Sequence, residues 1–133
     1  MFDPVLASLP AFAGYFATAA VLLAAFITLY ILVTPYSEVA LIREGNVAAA
    51  ICLAGAMVGY ALPIAVAVAV SHSLTTMVGW GLVACAVQLA VYVAARFALP
   101  GLNRAIPQGQ VASAVFLASL SLAAGILNAG CIV

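Results

Sequence analysis

Apolar residues run nearly unbroken along the chain. Charged residues interrupt them in three places: at Asp3, at Glu38, Arg43 and Glu44, and at Arg96 and Arg104. Three stretches, 4–37, 45–95 and 105–133, therefore carry no formal charge, counting His72 as neutral. A membrane-crossing helix needs about 20 mostly apolar residues. The first and last stretches each hold one such helix. The middle stretch is long enough for two, joined at Ser71-His72-Ser73-Leu74-Thr75. The pattern predicts spans at 10–34, 46–70, 76–98 and 110–131. Pro35 stops the first, because the residue before a proline avoids the helical region. Gly45 suits the position just past a short helix, and Asn46 can cap the next start. Serines and threonines make the turn near 71–76, and Pro100-Gly101 ends the third span. Pro63 is expected to kink the second span. No stretch alternates polar and apolar residues, which argues against a β-barrel.

Composition sharpens this picture. Of 133 residues, 69% are apolar and 5% charged, with three Arg and no Lys. An average soluble domain is roughly 25% charged. A soluble fold would lack a polar shell, a disordered chain would be less apolar, and three Arg cannot make a nucleic-acid surface. The expected class is an all-α integral membrane protein, a single domain over 1–133 embedded in the lipid bilayer. All three Arg lie in or beside the linkers 35–45 and 99–109, so the positive-inside rule puts both linkers in the cytoplasm and both termini outside. Met1-Phe2-Asp3 lacks the positive start of a signal peptide, so the first helix is expected to be retained.

A shift of 64 residues aligns the two halves. Gly45-Asn46-Val47-Ala48-Ala49-Ala50 falls on Gly109-Gln110-Val111-Ala112-Ser113-Ala114, and six of the ten positions from 45 to 54 are identical. Each half is a helix hairpin, about 10–70 and about 76–133. Two crossings return the chain to one side, so the hairpins are expected to be parallel in orientation.

The stretch TPYSEVALIREGNVAAAICLAGAMVGYALP, from Thr34 to Pro63, resembles the signature of the YjfL-like bacterial inner-membrane proteins, domain-of-unknown-function family 350. GWGLVACAVQLAVYVAARFALPGLNRAI and QGQVASAV in the second half fit the same family. The resemblance implies a bacterial inner-membrane location, four helices in two hairpin repeats, and a link to envelope maintenance or stress. It implies no catalytic residue. The family pattern has a charge before the second linker's glycine, where this chain has Pro107-Gln108-Gly109.

Polar residues within spans should face protein or water. Gly81, Cys85, Gln88, Tyr92 and Arg96 share one face of the third helix, and Gln110, Ala114, Ala118, Ser121, Gly125 and Asn128 one face of the fourth. Gln88 and Asn128 suit interhelical hydrogen bonds, or a substrate or ion contact. Asn46 and Gln110 suit helix caps, or the frame of a polar vestibule. Gly55-x-x-x-Gly59, which the repeat renders as Ser119-x-x-x-Ala123, suits close helix packing, within the chain or between copies. Glu38 is expected to pair with Arg43, Arg96 or Arg104 on a short interfacial helix whose Val39 and Ile42 face lipid. Its other reading is a carboxylate ring around an oligomer pore. Arg96 can snorkel to headgroups. Tyr36 and Trp80 suit interface anchors.

Cys52, Cys85 and Cys131 form no C-x-x-C pair, and one His cannot build a haem or zinc site. No cofactor, metal or catalytic residue is expected, and an enzyme is disfavoured. The expected function is a non-enzymatic, homo-oligomeric scaffold or interaction partner, with protein partners meeting the cytoplasmic linkers. The alternative is a small oligomeric ion or solute channel, its path lined by Gln88, Asn128, Asn46 and Gln110.

Overall fold

The computed structural model describes residues 3–132 and is all-helical. The order is α1 (Asp3–Val33), α2 (Glu38–Arg43), α3 (Val47–Val70), α4 (Leu74–Ala98), α5 (Leu102–Ala105) and α6 (Val111–Ile132). Four of these, α1, α3, α4 and α6, are long and apolar enough to cross a membrane. The expectation about a leader segment falls on Met1 and Phe2, outside the described residues, as does Val133.

Three spans match the charge-free pattern to within two residues. α1 differs, beginning at Asp3 rather than residue 10. Pro4 costs nothing in a first turn, where its missing N–H would be unpaired anyway, and Asp3 complements the positive helix end. Pro10 lies inside α1 and removes one donor, and Ser8 bonds the Pro4 carbonyl (2.8 Å) in the same region. α3 likewise stays helical through the buried Pro63.

Side chains cap the chain's turns. Ser37 accepts from the Ala40 amide, Asn46 from Ala49 (3.0 Å) and Ser73 from Thr76 (3.1 Å). Gln110 does not follow Asn46. Its amide donates to Gln108 Oε1 (3.2 Å) instead, since the extra methylene carries it past the capping position. The backbones of the two linkers agree more closely. Gly45 (φ 85°) and Gly109 (φ 77°) both take the left-handed conformation that ends a short helix. Asn46 N–H then bonds Leu41 O (2.9 Å), and Gln110 N–H bonds Ala105 O (3.0 Å).

Helices α3 and α6 form the closest pair at the centre. Gly59 lies against the Ser121 backbone and Gly125 against the Gly59 backbone, leaving no room for a Cβ at either. A Cβ on Gly55 would stand 2.6 Å from Ala118 Cα. The α6 side of this seam is thus Ala118, Ser121 and Gly125. Ser119 and Ala123, expected there from the repeat alignment, are exposed instead. The 64-residue alignment equates positions on two helices whose packing faces are not equivalent.

α4 packs on both central helices, and α1 packs on α3 and α4 from outside. Only Phe26 and Tyr30 of α1 are buried. Phe26 stacks on Tyr60 of α3 at 4.5 Å, and Tyr30 meets Tyr92 of α4 edge-on at 5.8 Å. Tyr60 donates to the Gly81 carbonyl of α4 (3.1 Å). These rings hold α1 through its second half, while Val5, Leu6, Phe12 and Phe16 stay exposed to the hydrocarbon.

Candidate functional site

The linker end of the bundle gathers the chain's unusual polar groups. Ser37 starts α2, and the first residue of the helix, Glu38, turns inward beneath it. Val39 and Ile42 on the other side of α2 are exposed, as their sequence suggests. Glu38 itself is 0% exposed. Its Oε1 pairs with the Thr34 hydroxyl, and its Oε2 has no hydrogen-bond partner. The expected ion pair with Arg43, Arg96 or Arg104 is absent. All three arginines are exposed, because a guanidinium on a long stem reaches water more cheaply than it enters the bundle. The inward turn also removes Glu38 from any surface that could form an oligomer ring.

Three tyrosines, one cysteine and Glu38 share this end. Tyr30 from α1, Tyr36 from the first linker, Cys52 from α3 and Tyr92 from α4 all lie within electrostatic reach of the carboxylate. The hydroxyls of Tyr30 and Tyr36 are buried without partners. Tyr36 is therefore not the headgroup anchor its sequence position suggests. Burial holds the Glu38 carboxyl above the usual carboxylate range, opposed by the bond from Thr34 and by its own amide. Burial also raises Tyr36, with smaller contributions from Cys52, Tyr92 and Glu38.

Beside this cluster, Tyr92 and Arg96 meet α5. In the amide orientation that satisfies every group, Asn103 Nδ2 donates to the Tyr92 hydroxyl (2.7 Å) and Asn103 Oδ1 accepts from Arg96 Nε (3.1 Å). The guanidinium also stands 5.9 Å from the Tyr92 ring centre. Arg96 is thereby held at one rim of a pocket of about 310 Å³, between the end of α4 and α5.

The remaining singled-out residues have separate partners. Gln88 is buried in the notch beside Gly59 and donates to Ser121 O of α6 (3.0 Å), with its Oε1 unpartnered. Asn128 is buried on α6, and its Nδ2 is unpartnered. Asn46 lies at the linker end, where Nδ2 donates to Ile106 O (3.0 Å) and Pro107 O (3.2 Å) and so ties the first linker to the second. Gln110 is exposed. Among the described residues, no three His, Cys, Asp or Glu side chains gather into a metal site.

Residues missed by sequence reasoning are Thr34, Tyr30 and Asn103. Thr34 carries a faint signal, since only Pro35, Tyr36 and Ser37 separate its hydroxyl from the Glu38 carboxyl across the turn between α1 and α2. Tyr30 and Asn103 carry none, because their roles depend on how α1 and α5 pack.

At 33% identity, 127 residues of the chain match the UPF0719 inner membrane protein YjfL of Escherichia coli (strain K12), covering 96% of each. The UPF0719 transmembrane protein YshE of Bacillus subtilis (strain 168) is 32% identical over 88 residues, 66% of each chain. No solved structure matches the chain. The family described as Domain of Unknown Function (DUF350) matches residues 4–132, which take in all four spans and both linkers, and the chain belongs to that family.

Proposed function

We propose that this protein is a non-enzymatic, homo-oligomeric scaffold of the bacterial inner membrane, serving envelope maintenance or stress. In this reading both linkers face the cytoplasm and meet protein partners there, and both termini lie outside. The supporting observation is that α6 presents two kinds of small-residue surface. Ala118, Ser121 and Gly125 are consumed by α3, while Ser119 and Ala123 stay exposed four residues apart. Small residues so spaced let a second helix approach closely in lipid. The two-hairpin repeat is part of the same reading. It is supported by the matched glycines and backbone bonds of the two linkers, 64 residues apart.

The channel reading has less support. Gln88 is engaged with Ser121 and Asn46 with the second linker, so neither is free to line a path. Photobleaching of labelled full-length chains in lipid nanodiscs tests the assembly. The expected result is multiple bleaching steps for wild type and single steps for S119L/A123L. Single steps for wild type, with no partner cross-linked from residues 35–45, would overturn the scaffold. Ion or solute flux in proteoliposomes would favour the channel.

A further inference from the structure

The Thr34 hydroxyl faces more acceptors than it has hydrogens. Its oxygen lies 3.1 Å from Ile31 O and 3.3 Å from Tyr36 O, and it pairs closely with Glu38 Oε1. A hydroxyl carries one hydrogen and two lone pairs. With Glu38 ionised, that hydrogen goes to the carboxylate, and the two carbonyls receive nothing from it. With a proton on Oε1, the carboxyl donates to Thr34 Oγ1, and the threonine hydrogen is released to Ile31 O or Tyr36 O. The ionised form keeps one charge-assisted bond, roughly as strong as the two ordinary bonds of the neutral form, so the hydroxyl accommodates either state.

The surroundings decide between the two states. Glu38 is 0% exposed, and no cation faces it. An ionised carboxylate in such a place loses its hydration against only the Thr34 hydroxyl and its own amide, with Oε2 left bare, which favours the neutral form. The titratable groups within electrostatic reach are Tyr30 from α1, Tyr36 from the first linker, Cys52 from α3 and Tyr92 from α4. All four are ordinarily uncharged at neutral pH. Arg96 lies beyond Tyr92 and is engaged with Asn103. α2 is only six residues long, and its outer face is exposed through Val39 and Ile42. A charge appearing on Glu38 would favour moving this short helix outward into water.

We propose that Glu38, held by Thr34 beneath α2, is a proton-binding site at the linker end, and that α2 stays docked on α3 only while the carboxyl is protonated. Burial raises the carboxyl's affinity for the proton, and the Thr34 bond lowers it. This inference does not rest on oligomer formation.

Dicyclohexylcarbodiimide, which reacts with protonated carboxyls in apolar surroundings, tests the site on the full chain in phosphatidylcholine nanodiscs. Mass spectrometry is expected to find Glu38 modified at neutral pH and exposed Glu44 unmodified. Labelling is expected to fall about tenfold for each pH unit above the midpoint. E38Q should abolish the label. The infrared carbonyl band of a protonated carboxyl, present in wild type and absent in E38Q, provides a readout that needs no reagent access. Wild type showing neither label nor band at neutral pH would overturn the site. Suppression of labelling by added Na⁺ or K⁺ at fixed pH would overturn it in favour of a cation site. Hydrogen exchange over 40–43, corrected for intrinsic rates, should rise along the titration in wild type and stay flat in E38Q. Flat exchange in both would overturn the coupling to α2.

Discussion

A buried carboxyl whose proton is held above the usual range gives stability a definite dependence on pH. Between the ordinary glutamate value and the raised one, the folded chain holds a proton that the unfolded chain has released. Stability contributed by Glu38 is then full at low pH and declines as pH rises through the raised value. Wild type in detergent is expected to lose thermal stability with rising pH more steeply than E38Q, as read from Tm across a pH series. The glycines make a second residue-scale prediction. G59A and G125A each place a Cβ against the partner helix's backbone, which cannot give way as a side chain can. Each is expected to destabilise by about 1–3 kcal/mol, the usual range for overpacking, as measured by reversible unfolding in mixed micelles. G79A, with open space around its Cβ, is the matched comparison and should be near neutral. Legibility at this scale was uneven. Gln88 was readable as an interhelical bond because a lone amide in mid-span has few other uses. Glu38 stood out by type, but its inward turn was invisible, since nothing in the sequence says that Tyr30, Tyr36 and Tyr92 would roof it.

The elements are held by unlike means. α3 and α6 adhere by backbone proximity, whereas α1 is pinned by Phe26 and Tyr30 alone among its buried residues. F26A is expected to cost about 3–5 kcal/mol, the usual loss for a buried phenylalanine, and to release α1 while leaving the α3–α6 pair intact. Hydrogen exchange resolved by helix would distinguish that outcome from global unfolding. The linkers differ despite their shared backbone turns. Asn46 caps α3 and bonds the second linker, while Gln110 reaches only Gln108. N46A should therefore destabilise by about 1 kcal/mol or more, and Q110A by much less, in parallel unfolding experiments. Charge-free stretches bounded by Gly, Pro and Ser fixed three helix boundaries because lipid requires unbroken apolar length. The spacing of Ser119 and Ala123 left contact within the chain or between copies open, and their exposure takes them off the α3 seam. In so Ala-rich a helix, small residues occur all round, and spacing alone cannot say which side meets a neighbour.

For the whole molecule, the segregation of arginines supports the proposed orientation. A membrane-impermeant maleimide is expected to label S73C in intact spheroplasts, and to label Q108C only after permeabilisation, against a background lacking Cys131. The reverse pattern would invert the proposed topology. The length of α1 has a further consequence. Its 31 residues extend about 46 Å at 1.5 Å per residue, against a hydrocarbon core of about 30 Å. α3, α4 and α6 have 24, 25 and 22 residues and fit far more closely. Such a mismatch is relieved by tilting the long helix or by thickening the bilayer around it. Because α1 packs on the core from Tyr15 onward and residues 3–13 are exposed, that first part is free to lean. The tilt of α1 should then follow membrane thickness. The distance between spin labels at Ser8 and Ala65 should grow as α1 straightens in bilayers of longer acyl chains and shrink as it leans in thinner ones.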